Sequence, residues 1–154
     1  MRFQLLIISL YACSCLIAQE TATDRLKDFN VKNQVAIHGY DPTCYFKLNK
    51  PKEGNPAITS TYKGITYQFV SKENKMDFDK NPGRYEPQYG GWCAFAMGDY
   101  GKKVDVNPQT YKIINDKLYL FYNSYLNNTL KSWEKDENNL LKSADKNWLT
   151  LINK

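Results

Sequence analysis

The sequence predicts a small α+β domain with antiparallel hairpins, a short central helix and a helical C-terminal segment. Three observations carry that expectation. β-Branched and aromatic residues crowd around short turn signals at 58–70 and 111–122, Ser71 opens a polar helical stretch, and the apolar spacing becomes helical after Leu126. At 154 residues, with 42% hydrophobic and 14% aromatic residues, the chain suits one globular domain rather than a disordered or fibrous one.

The N-terminus reads as an export signal. Met1-Arg2 is followed by Leu5 to Ala18 without a charge, about the length of a signal-peptide core and short for a bilayer span. Leu16-Ile17-Ala18 before Gln19 places the expected cleavage after residue 18, with lipidation at Cys13 or Cys15 as the less favoured alternative. Loss of residues 1–18 lowers the formal charge from +5 to +4 and leaves Cys44 and Cys93 as the cysteines. No run of five basic residues occurs and acids interleave with the lysines, so nucleic acid is not an expected partner.

Residues 19–33 form a polar lead-in with a short helix and Leu26, Phe29 and Val31 as anchors, and the domain proper is expected over 34–154. Val35-Ala36-Ile37 reads as a first strand, Asp41-Pro42 as a turn, and Cys44-Tyr45-Phe46 as a second extended run. Asn49 to Pro56 is a loop, and 58–62 with 65–70 form a hairpin about Lys63-Gly64. Ser71 caps a helix over Lys72 to Lys80, with Phe78 and Met76 as inward candidates, and Pro82 stops it. Pro82 to Gly91 reads as irregular, Trp92 to Met97 as a short helix, and 111–114 with 118–122 as a second hairpin. Leu130, Trp133, Leu140, Leu141, Ala144, Trp148, Leu151 and Ile152 then share one helical stripe, which Asn138-Asn139 would divide.

Several motifs occur in order: Val35 to Pro42, Tyr67 to Ser71, Asn81-Pro82, Pro87 to Ala94, Leu118 to Leu120, Trp133, and Ala144 to Trp148. Over roughly 34–150 the chain resembles the exported YHS-domain proteins of bacteria. That resemblance implies a small treble-clef-like module in which cysteines at a strand-to-helix junction hold a transition metal. Here Val70 stands where the first such cysteine would be, and the helix after Ser71 has none. Thiolates are what select Zn and Cu(I), so this chain departs from the metal-binding pattern at its centre.

A different soft-donor set remains open, drawn from His38, Cys93, Cys44 and Met97, with Cu or Zn as the ion. Each of these types is also commonly a plain buried or hydrogen-bonding residue. Cys44 and Cys93 could form a disulfide or remain thiols. Tyr89, Gly90 and Gly91, with Tyr40 and Asp41, are candidate ligand-binding residues, because adjacent glycines admit close approach to the backbone. The glycine pair equally solves a turn problem, and Asp41 equally caps a turn.

No catalytic constellation emerges. One histidine excludes two-imidazole mechanisms and His-pair zinc helices, no serine has nucleophile-elbow surroundings, and no phosphate-binding glycine loop occurs. The expected function is an exported, non-catalytic binding or accessory module taking a transition-metal ion or small ligand. The alternative is a structural or protein-interaction domain without metal.

Overall fold

A computed structural model describes residues 25–154; the expected export signal and residues 19–24 lie outside that range. The expected mixed α+β architecture is present. Its described elements begin with helix α1 (25–28), strands β1 (Val31–Lys32) and β2 (Val35–Ala36), a 3₁₀ turn (Ile37–Gly39) and α2 (Pro42–Lys47). The hairpin β3 (Asn55–Tyr62) and β4 (Ile65–Phe69) follows, then α3 (Lys72–Lys80), α4 (Pro82–Tyr85), a second 3₁₀ turn (Gln88–Gly91) and α5 (Ala94–Tyr100). A second hairpin, β5 (Asn107–Ile114) and β6 (Lys117–Phe121), precedes the small hairpin β7 (Asn123–Ser124) and β8 (Asn127–Asn128). Helices α6 (Thr129–Trp133) and α7 (Glu137–Ile152) end the chain.

The main sheet has the order β1-β2-β4-β3, antiparallel except for the parallel β2–β4 contact. Both predicted hairpin turns are present. Lys63-Gly64 and Asn115-Asp116 each place two consecutive residues at positive φ, the twist that matches a right-handed hairpin. Side chains alternate along β4, so Ile65, Tyr67 and Phe69 are all buried on one face. Ser71 caps α3 as expected, its hydroxyl accepting from Asn74 N at 3.1 Å.

Strand β6 organises the interior. Its period of two sends Leu118 and Leu120 into a core shared with β4, Phe78 and Tyr45, and Tyr119 and Phe121 into a second core with Met97, Trp133 and Ala144. The C-terminal stripe packs on that second core from Leu130 to Leu151, while Ile152, expected on the same stripe, is exposed. Gly98 makes the α5–α7 approach close, since a Cβ there would lie 2.6 Å from Leu140 O.

Several sequence expectations are corrected. Cys44-Tyr45-Phe46 is helical, because Asp41 caps α2 and Pro42 fills its first position, where a missing N–H costs nothing. The first strand ends at Ala36, since Ile37 and His38 take positive φ. Pro82 starts α4 as well as ending α3, so 82–91 is two short helical turns rather than irregular chain. Met76 is 59% exposed, and Asn74 is the residue that turns inward beside Phe78. The helical C-terminus breaks at 134–136, where Glu134 and Asp136 separate α6 from α7, and Asn138-Asn139 lie inside α7. Leu126, where the helical spacing starts, sits on the β7–β8 turn instead.

Candidate functional site

The fold distributes the predicted site residues over three neighbourhoods. Asp41 stands at the first. It is 0% exposed and accepts four hydrogen bonds, Oδ1 from Thr43 N (2.8 Å) and Thr43 Oγ1 (2.7 Å), Oδ2 from Val70 N (2.8 Å) and Asn74 Nδ2 (2.8 Å). The carboxylate thus joins the start of α2, the end of β4 and the first turn of α3. Both oxygens are saturated by protein donors, which makes Asp41 a structural clamp rather than a ligand contact. Val70, at the position of the missing cysteine, supplies only its backbone N–H. Tyr40 lies at the surface, its hydroxyl 3.4 Å from Glu53 Oε1 and 3.4 Å from Gln109 Nε2.

Cys44 packs beside this clamp, with Asn74 Nδ2 3.5 Å from its sulfur. Burial, reinforced by the Asp41 charge, pushes its thiol pKa up to about 12. Such a thiol stays protonated and is a poor nucleophile or metal ligand at neutral pH.

The second neighbourhood holds His38. Its Nε2 lies 2.8 Å from Asp105 Oδ1, and the same oxygen accepts from Asn30 Nδ2 and Val106 N, each at 2.8 Å. Burial opposes ionisation of Asp105, but these hydrogen bonds and His38 outweigh it and hold the carboxyl below its usual range. Cys93, buried at the start of α5, has Tyr122 N at 3.3 Å and Thr129 Oγ1 at 3.4 Å from its sulfur. Its polar neighbours are therefore not His38. Met97, one turn along α5 from Cys93, packs in the second core, whereas Cys93 packs in the first. Cys44 and Cys93 are both free thiols, not a disulfide. Among the described residues, no group of three or more His, Cys, Asp or Glu side chains is placed to hold a metal ion.

The third neighbourhood contains Tyr89, Gly90 and Gly91. Asn30 binds this turn directly, its N donating to Gly90 O at 2.8 Å and its Nδ2 to Gly91 O at 3.2 Å. Because Asn30 also donates to Asp105, it links the glycine turn to His38. Gly90 has φ +59°, and a Cβ there would lie 3.0 Å from Trp148 and 3.1 Å from Phe29. The glycine is required by close approach of the lead-in segment and α7. The buried Tyr89 donates its hydroxyl to Asp145 Oδ1 at 2.9 Å, and burial together with that bond raises its pKa well beyond the usual tyrosine range.

Beside this turn opens a cleft of about 460 Å³. Phe29, Tyr89, Trp148 and Ile152 give it apolar walls, and Arg25 with Glu86 forms a polar corner. Arg25 Nη2 meets Glu86 Oε1 at 2.6 Å, the same oxygen accepts Tyr67 Oη at 2.6 Å, and the guanidinium lies 4.4 Å from the Phe29 ring centroid. Tyr40 and Asp41 do not line this cleft. No family model, curated protein or solved structure matches the chain. The site therefore rests on its own geometry.

Sequence reasoning missed Arg25, Asn30, Glu86 and Asp105. None sits in a motif with a local chemical signature, and each has a side-chain partner 61–75 residues away. Trp148 carried a signal, as a large aromatic within the helical stripe, but read as core. Among the described residues no helix is long and apolar enough to cross a membrane.

Proposed function

We propose that this chain is a non-catalytic binding module that acts outside the cytoplasm and takes a small organic ligand in the cleft beside Tyr89 and Gly90. The observation that carries this reading is the 460 Å³ cleft with its aromatic walls, a size and lining suited to a small molecule. The apolar N-terminal stretch and the resemblance to exported YHS-domain proteins support the extracytoplasmic placement.

The cleft's charges indicate what kind of ligand fits. Arg25 is paired with Glu86, and Asp28 with Lys103 at 2.8 Å. A charged ligand would have to compete with an existing ion pair, whereas an uncharged ring needs only the apolar walls. The reading is therefore a neutral, flat, weakly polar compound. That His38, Cys44 and Cys93 each meet different partners favours this ligand over a metal ion. The same arrangement supports the non-catalytic reading, because neither thiol has the imidazole as a partner.

The test titrates indole, phenol and benzyl alcohol against tryptophan emission in wild type and Ile152→Glu, a substitution at the cleft rim. A saturable change in wild type that the variant loses supports the reading. No saturable change at millimolar probe, or stoichiometric Zn or Cu(I) uptake abolished by Cys93→Ala, would sink it.

A further inference from the structure

The β7–β8 hairpin carries two apolar side chains that nothing in the described fold covers. Tyr125 and Leu126 form its tip, with relative exposures of 105% and 104%. The hairpin is nevertheless well anchored. Asn123 pairs with Asn128 and Ser124 with Asn127, while Asn123 Nδ2 donates to Thr110 Oγ1 at 3.0 Å. At its base, Thr129 N and Oγ1 both donate to Tyr122 O, at 3.0 and 2.8 Å. Tyr125 has φ +48°, a left-handed conformation that turn chemistry usually assigns to Gly or Asn. A bulky aromatic there carries backbone strain as well as exposed apolar surface.

The sequence next to the tip is uncharged. Asn123, Ser124, Asn127 and Asn128 flank it, and between Lys117 and Glu134 the sole charged residue is Lys131. Lys131 is exposed in the last turn of the short helix α6, which follows β8 directly.

We propose that this tip is an interfacial membrane anchor, with Leu126 and the Tyr125 ring entering the head-group boundary of an anionic bilayer and Lys131 meeting lipid phosphates. Two protruding side chains offer far less than the ~1,200 Å² that a specific protein interface buries. They also lack a surrounding ring of contacts to exclude water, which protein hot spots need and a bilayer does not. Tyrosine suits the boundary because its ring can sit below the head groups while its hydroxyl stays hydrated. The polar Asn and Ser flanks then mark the depth of insertion. The proposal is independent of the cleft.

Amide hydrogen exchange of residues 123–128 tests it on the full chain, since the readout is local even if another segment holds the protein on the vesicle. Vesicles of phosphatidylglycerol and phosphatidylcholine in equal parts are compared with phosphatidylcholine alone. The variant Tyr125→Asn with Leu126→Gly keeps good turn residues, and its fold is checked by circular dichroism. Exchange at the hairpin should slow by about fivefold or more on the anionic vesicles, and the variant should lose this protection. No slowing, equal slowing on the neutral vesicles, or slowing retained in the variant would overturn the proposal.

Discussion

Replacing Asp41 by alanine separates a structural clamp from a ligand contact. The substitution removes four accepted hydrogen bonds at a site with 0% exposure. Loss of the α2 cap through Thr43 N costs about 1 kcal/mol. The buried Asn74 amide loses its acceptor at about 1–3 kcal/mol, and Val70 N, nearer solvent, at the lower end of that range. The Thr43 hydroxyl can rotate and adds little. The expected destabilisation is about 4 kcal/mol, large for one substitution because three elements share the carboxylate. Asp41→Asn should fall between, at about 2–3 kcal/mol, since its NH₂ must face donors at one end of the group. Urea unfolding followed by far-ultraviolet circular dichroism at pH 7 measures both, with an unchanged m-value as the sign that only stability moved. A loss below about 1 kcal/mol for Asp41→Ala would refute the reasoning, and a stabilised variant would return Asp41 to the ligand-binding candidates.

Further expectations follow from the same contacts. Gly90→Ala should destabilise by about 1–3 kcal/mol, because φ is +59° and the new methyl meets Phe29 and Trp148; thermal unfolding checks it. Gly98→Ala should cost a similar amount by forcing α5 from the backbone of Leu140, with near-ultraviolet dichroism reporting the repacking of Trp133 and Trp148. Cys44 and Cys93 should resist alkylation at pH 8 in the folded chain and both react in guanidinium, as mass spectrometry of their peptides would show; rapid labelling of Cys44 in the native protein would contradict its raised pKa. Asp105 titrates lower when folded than when unfolded, so its contribution is complete above the unfolded value of about 3.9 and is lost as pH falls through the folded one. Asp105→Asn should accordingly flatten the dependence of stability on pH below about 4, and an unchanged acid limb would remove Asp105 from that account.

The candidate site was legible in pieces. Tyr89, Gly90 and Gly91 stood out because adjacent glycines beside aromatics are unusual in a chain with eight glycines; Tyr89 and Gly90 border the cleft, and Gly91 does not. Tyr40 and Asp41 belonged to an equally conspicuous motif, yet their partners lie elsewhere: Glu53 and Gln109 for one, α2, β4 and α3 for the other. His38 and Cys93 were chosen by donor chemistry. Donor chemistry says nothing of direction, and His38 meets Asp105 while Cys93 meets Thr129 and Tyr122.

What the sequence determined by itself was local. The cap at Ser71, the turns at Lys63-Gly64 and Asn115-Asp116, the alternation of β4 and the amphipathic C-terminal helix all depend on residues within one turn or one strand. Tertiary structure decided which elements Asp41 joins, where the C-terminal helix breaks, and which partners His38, Cys44 and Cys93 meet. It also assembled the cleft from Arg25, Phe29, Glu86 and Trp148, side chains from distant parts of the chain. Their convergence depends on burying two cores against one strand, a global free-energy balance that no short window of residues contains.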